Sequence, residues 1–241
     1  MKLVMGVQVT MVERKFRIDV PGNGSVSAAA TACDEVDAAY VLAHGAGADM
    51  NHSFMQRVAA GLAERRIATL RFQFPYSEAG KHRVDAPAVA HAAVRAAVGH
   101  ANVVWPRTPM FAGGKSFGGR MTSQAQAEEP LAGVLGLIFL GFPLHPAGKP
   151  SLDRTPHLFD IGIPMLFVQG DRDALAEAPQ YDKVTQQLGA LATRADIDGA
   201  DHSFSVLKRS GRTDGEALEE VLDWITVWTQ AVTSAARETT K

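Results

Sequence analysis

The sequence predicts an α/β fold whose mostly parallel central sheet is covered by helices on both faces. Three observations carry that reading. The run 134–140 is nearly continuously apolar, the pattern of a strand buried on both sides, and 67–72 and 164–169 are further strand candidates. Segments with helical spacing lie between them, the alternation that builds crossover connections. Loops rich in small and polar residues come after several of these runs, at the strand ends where an open parallel sheet gathers its chemistry.

Residues 3–20 alternate in strand fashion, most clearly at Phe16, Ile18 and Val20. Pro21, Gly22, Asn23 and Gly24 turn the chain toward a second strand at 26–31, an antiparallel entry to the sheet. After a polar patch at 34–37, the run 40–43 makes a strand that closes in the loop His44, Gly45, Ala46, Gly47, Ala48. Phe54, Val58 and Leu62 recur at helical spacing within 54–66, before the strand at 67–72. The alanine-rich stretch 86–98 reads as a helix, with Pro87 in its first turn and Gly99 just past its end. Residues 102–112 contain the next strand, with Pro106 and Pro109 ahead of its apolar part. A helix over 120–128 and the strand 134–140 come next. Residues 141–160, carrying Pro143, Pro146, Pro150 and Pro156, form an ordered excursion too short for a large lid domain. The strand 164–169, a helix over 181–191 and a last strand at 193–198 lead to an amphipathic helix. That helix covers 217–227 and continues past Trp228, with Leu218, Val221, Leu222 and Ile225 on its apolar side. The chain reads as one domain spanning 1–241.

Composition excludes several function classes. The chain has 241 residues, 46% apolar and 21% charged, an ordinary globular mixture. A formal charge of -2 gives no electrostatic footprint for nucleic acid. Cys33 is the single cysteine, so an intramolecular disulfide and a cysteine metal cluster are both excluded. Glu13, Arg14 and Lys15 interrupt the first apolar patch before a secretory or membrane-spanning length is reached. A cytoplasmic protein that needs no cofactor, metal or membrane is expected. The sequence is compatible with a homo-oligomer and sets no stoichiometry.

The richest stretch is 109–122. Gly114, Ser116 and Gly118 fit the nucleophile-elbow pattern, in which a serine is lifted from a sharp strand-to-helix turn. Glycines are wanted on either side because the strained turn leaves no room for side chains. The first amides of the next helix then face the serine oxygen and favour developing negative charge. Gly114, Lys115 and Ser116 also imitate the end of a phosphate loop, but Pro109 stands where that pattern requires glycine. The bland alternative is a serine that only caps a helix.

Partners for the serine occur later in the chain. Gly170, Asp171, Arg172 and Asp173 come after one strand; Asp201, His202 and Ser203 come after the last. The order serine, aspartate, histidine is the one this elbow requires. Ser116 is the candidate nucleophile, His202 the general base and acid, and Asp173 the orienting acid, with Asp171 as the alternative. Backbone amides of Phe117 and Ala46 are the candidate oxyanion donors. Phe72 and Phe142, with Phe117, are candidates to line an acyl pocket. His44 shapes its loop, and Lys115 is read as a solvent-facing neighbour. Lys149, Arg154 and His157 are read as a solvated face, and nothing pairs His52, His145 and His157 as metal ligands.

Through these residues the chain resembles the α/β-hydrolase superfamily. More narrowly, it is similar to the branch related to dienelactone hydrolases and to the α/β-hydrolase-like domain of an animal chromatin-complex regulatory subunit and a testis-expressed protein. The resemblance covers nearly the whole chain. It is carried by Leu42, Ala43, His44, Gly45, Ala46, Gly47; by Arg71, Phe72, Gln73, Phe74, Pro75, Tyr76; and by the glycine-rich run 113–119. Gly141, Phe142, Pro143, Leu144, His145 and Pro146, then 170–173 and 201–204, complete it. It implies an α/β-hydrolase fold without a large lid, and it favours Asp173 over Asp171. Proline often comes after that aspartate in the family, whereas here Ala174 does. The order and loop contexts of Ser116, Asp173 and His202 point to hydrolysis of an ester, thioester or lactone through an acyl-serine, and the shortness of 141–160 points to a small or medium substrate. The competing expectation is a binding or scaffolding protein that kept the fold, as its animal relatives suggest.

Overall fold

A computed structural model of the chain describes residues 10–239. Residues 3–9, the first part of the expected opening strand, lie outside the described residues. Among the described residues, eight strands form one sheet in the order β1-β2-β4-β3-β5-β6-β7-β8. They are β1 Val12–Asp19, β2 Ser25–Ala32, β3 Ala38–Ala43, β4 Ile67–Phe72, β5 Met110–Lys115, β6 Val134–Leu140, β7 Met165–Gly170 and β8 Ala192–Ile197. β2 runs antiparallel to both β1 and β4, and every other neighbouring pair is parallel.

Among the described residues there are six α-helices: α1 Ser53–Glu64, the short α2 Pro75–Glu78, α3 Pro87–Val104, α4 Phe117–Glu128 and α5 Ala178–Leu188 between strands, and α6 Asp214–Thr239 after the last one. Alternation along the strands divides the core in two. Ala39, Val41 and Ala43 of β3 face one cluster with Val94 of α3, Met121 of α4 and Val184 of α5. Tyr40 and Leu42 face the other, with Leu62 of α1 and Leu222 and Trp228 of α6. Both faces of the central strands are therefore dry, which explains their continuous apolar runs.

Several boundaries differ from the sequence expectation: α5 is Ala178–Leu188 rather than 181–191, α6 starts at Asp214 rather than 217, and two more differences have a clear cause. α3 does not stop at Gly99 but continues through Asn102 to Val104, so those residues are helical rather than part of a strand. Gly99 is on the exposed side, and burial of Ala97, Val98 and Ala101 outweighs its cost of roughly 1 kcal/mol. α4 starts at Phe117, not Arg120, because Gly118 and Gly119 let its first turn press against the sheet. The excursion 141–160 is irregular up to a single 3₁₀ turn, Pro156–Asp160, whose Leu158 is buried. Leu144 N donates to Leu175 O at 2.9 Å and so ties the excursion to the loop after β7.

Candidate active site

The C-terminal ends of β3, β5, β7 and β8 deliver their loops to one place. At the centre, Ser116 adopts φ 49 and ψ -112, a conformation disfavoured for any residue with a side chain. Its neighbours show why glycine surrounds it. A Cβ on Gly114, where φ is +150, would lie 2.2 Å from Ala43 O, and one on Gly118 would lie 2.5 Å from the same atom. Both obstacles are backbone, which cannot rotate away. Ser116 N donates to Leu140 O at 3.1 Å and Arg120 N donates to Ser116 O at 3.1 Å, so the strained residue is held by strand and helix together.

His202 reaches this serine from the loop after β8. Its Nε2 lies 2.9 Å from Ser116 Oγ, and its Nδ1 lies 2.6 Å from Asp173 Oδ2. A carboxylate only accepts, so Nδ1 carries the proton and Nε2 is free to accept from the hydroxyl. The side chain of Asp173 is fully buried, a position open to a carboxylate only when it is well bonded. Gln169 Nε2 also donates to Oδ2, and Leu175 N donates to Oδ1 at 2.8 Å. Ala174 in the family's proline position leaves this turn intact: Asp173 N donates to Gly170 O and Ala176 N to Asp173 O, each at 3.1 Å. Asp171 is exposed and, among the described residues, its side chain makes no hydrogen bond to His202. The acid and histidine loops abut closely, since a Cβ on Gly170 would lie 2.3 Å from Ala200 O.

The loop after β3 is pinned from β4. Arg71 Nη1 donates to Met50 O at 2.8 Å, and Met50 N donates to Gln73 Oε1 at 3.1 Å. Buried His44 donates from Nδ1 to Gly45 O at 2.9 Å and accepts at Nε2 from Phe74 N at 3.1 Å. Burial lowers its pKa, and both ring nitrogens are occupied, so this imidazole is neutral and structural. Among the described residues, no protein acceptor takes the amide of Ala46 or of Phe117.

Three expectations are corrected. Phe72 and Phe142 do not line the cleft. Both are buried, Phe72 against Phe74 and Phe142 against Phe139 and Phe167, because they belong to the core cluster between the sheet and the helices α3, α4 and α5. Lys115 is not solvent-facing: it is half-buried and Nζ donates to His202 O at 2.6 Å. Burial lowers its pKa to about 8, against the upward pull of Asp173 and Asp201. His157 is no surface cation either. It bonds Ser123 Oγ at 2.8 Å, and burial, then the nearby Arg120 charge, lowers its pKa to about 4.

A cavity of about 230 Å³ opens beside Ser116 and His202, walled by the Gly45–Ala48 backbone, His52, Phe54 and Met55. The place of His52, Phe54 and Met55 in this wall, and the role of Gln169, escaped the sequence reading. Gln169 carries the one available signal, a lone amide closing an otherwise apolar strand. A cavity of about 300 Å³ at the opposite edge, lined by Arg65, Arg107 and Arg237, contains none of the reactive groups. Chemistry rather than size therefore selects the first.

The fold and this site define a class. A family model described as alpha/beta hydrolase domain matches residues 36–230, and the chain belongs to that family. Solved structures agree on the fold. A dienelactone hydrolase from Anabaena variabilis is 20% identical, with TM-score 0.71 over 92% of this chain and 98% of that one. An alpha-beta serine hydrolase homologue from Coxiella burnetii is 21% identical, with TM-score 0.70 over 87% and 96%. A serine hydrolase described as without lid, from Xanthomonas campestris, is 19% identical, with TM-score 0.69 over 90% and 94%. Among the described residues, no helix is long and apolar enough to cross a membrane.

Proposed function

We propose that this chain is a serine hydrolase acting on a small or medium ester, thioester or lactone. The observation that carries the reading is the unbroken hydrogen-bonded line from Ser116 Oγ through His202 to Asp173. Ser116 Oγ attacks the carbonyl carbon while its proton passes to His202 Nε2. Asp173 holds the imidazole in the required tautomer and stabilises its charged form. The amides of Phe117 and Ala46 receive the oxyanion; losing one such donor costs about 3 kcal/mol. Collapse of the tetrahedral adduct breaks the bond to the alcohol or thiol, which leaves with the proton from His202. Water then attacks the acyl-serine, gives its proton to Nε2, and the carboxylic acid departs as the proton returns to Ser116.

A cavity of about 230 Å³ suits a short acyl group rather than a polymer. The single continuous sheet supports reading the chain as one domain, with 141–160 an excursion near the site. Kinship with the animal chromatin-complex and testis-expressed proteins, and a cytoplasmic location, belong to the same reading. A fluorophosphonate probe tests it: wild type is labelled and Ser116→Ala is not. A folded wild type that resists several such probes overturns the enzyme reading and leaves a binding protein on a hydrolase fold.

A further inference from the structure

Acyl transfer does not require a cation between Gly114 and Ser116, yet the structure is arranged around one. Lys115 Nζ donates to the carbonyl of His202 at 2.6 Å and lies 5.5 Å from the centre of the Phe204 ring. A Cβ on Gly141, where φ is +68, would come within 2.9 Å of Nζ and 3.3 Å of His202 Nδ1. The glycine thus makes space for ammonium and imidazole together. Two consecutive residues therefore grip the two ends of one histidine: Ser116 its imidazole tip, Lys115 its backbone.

The histidine loop is tied on its other sides, where Arg172 N donates to Ala200 O at 3.0 Å, Val206 N donates to Asp214 Oδ1 at 2.8 Å and Phe204 stacks on Phe54. Lys115 ties it to the elbow strand. Phe204, directly after Ser203, takes φ 60, a strained conformation for an aromatic residue. Asp201 Oδ1 accepts from Ser203 N at 2.8 Å and Ser205 N at 3.0 Å, which sets the loop's internal shape but not its distance from the elbow. The bond from Lys115 crosses that distance.

Resting on the hydrolase reading, we propose that Lys115 is a positioning residue whose ammonium, by holding the His202 carbonyl, fixes the imidazole against Ser116. The groups facing it are Asp173 from the loop after β7, Asp201 and His202 from the loop after β8, and His52 across the cavity. The two carboxylates favour its charge and burial opposes it, so the proton is lost as pH rises through about 8. The neutral amine is the weaker donor, and the hold loosens on the alkaline side.

Lys115→Met keeps the stem and removes the ammonium. With a p-nitrophenyl ester assayed from about pH 6 to about pH 10, kcat is expected to fall about 10- to 100-fold with KM within about 3-fold. The wild-type decline above about pH 8 should vanish in the variant, and Lys115→Arg should recover more kcat than Met. A Met variant within about 2-fold of wild-type kcat with an unchanged pH profile overturns the proposal. Should the Met variant fail to fold, Lys115→Gln is read by the same criteria. A second readout needs no turnover: ¹⁵N spectra of histidine-labelled protein, with His202 assigned through His202→Gln. A His202 signal that shifts or broadens in the Met variant supports the hold, and an unchanged one refutes it. If wild type resists fluorophosphonates while that signal still moves, the hydrolase reading fails and the positioning role stands.

Discussion

Replacing Asp173 by asparagine is the sharpest perturbation of the site, because the local bonding dictates how each neighbour must rearrange. Oδ1 of Asp173 accepts from Leu175 N, a backbone donor that cannot turn around. The amide oxygen of the introduced asparagine therefore takes that place, and its NH₂ group replaces Oδ2. Gln169 can adapt: its Oε1 is buried and, among the described residues, has no partner, and an amide flip presents it to the new donor. His202 must adapt as well, moving its proton from Nδ1 to Nε2 so that Nδ1 can accept. Nε2, 2.9 Å from Ser116 Oγ, then carries a hydrogen and cannot take the serine proton. The fold survives while the base is disabled. The expected fall in kcat is about 10³- to 10⁴-fold, equivalent to ~4–5.5 kcal/mol in the barrier. Asp171→Asn, on an exposed side chain, should stay within about 3-fold of wild type. Steady-state ester hydrolysis and fluorophosphonate labelling rates measure both variants, with circular dichroism reporting the fold. A folded Asp173→Asn enzyme retaining more than about a tenth of wild-type kcat, or a larger loss in Asp171→Asn, refutes the reasoning.

The same geometry sets further outcomes. Gly114→Ala must push a methyl group against Ala43 O at 2.2 Å while holding φ +150, and should lose about 3 kcal/mol or more in urea unfolding. Gly148→Ala, at φ +67 with open space around it, should cost only about 1 kcal/mol. Arg71→Met removes the bonds to Met50 O and Glu13 and should cost about 2 kcal/mol, since the half-exposed Glu13 can turn to water. For His157, a folded-state pKa of about 4 against an ordinary 6.5 means that the unfolded chain binds the extra proton first. Stability is therefore lost as pH falls from about 6.5 through about 4, by about 2 kcal/mol after discounting for partial exposure. His157→Gln should flatten that limb in thermal melts, and an equal slope in both proteins would sink the assignment.

The sheet was legible because its strands are short, apolar and bounded by turn residues. The run Val134–Leu140 appears in the structure with the bounds read from the sequence. Helix ends were less legible, since they depend on contacts between distant segments. Gly99 looks like a terminator until the burial of Ala101 is known, and the start of α4 at Phe117 rather than Arg120 shows only once Gly118 is found against Ala43.

What the sequence determined by itself was the local chemistry: a serine bounded by glycines, and an aspartate and a histidine placed after buried strands in the necessary order. What only the tertiary structure decided was contact and charge state. It selected Asp173 as the carboxylate bonded to His202, withdrew Phe72 and Phe142 into the core, and turned Lys115 from a surface charge into a clasp on the histidine loop. The physical reason is that strand and turn preferences act over a few neighbouring residues. Burial, hydrogen-bond partners and proton affinity are set by whichever remote segments the sheet brings alongside.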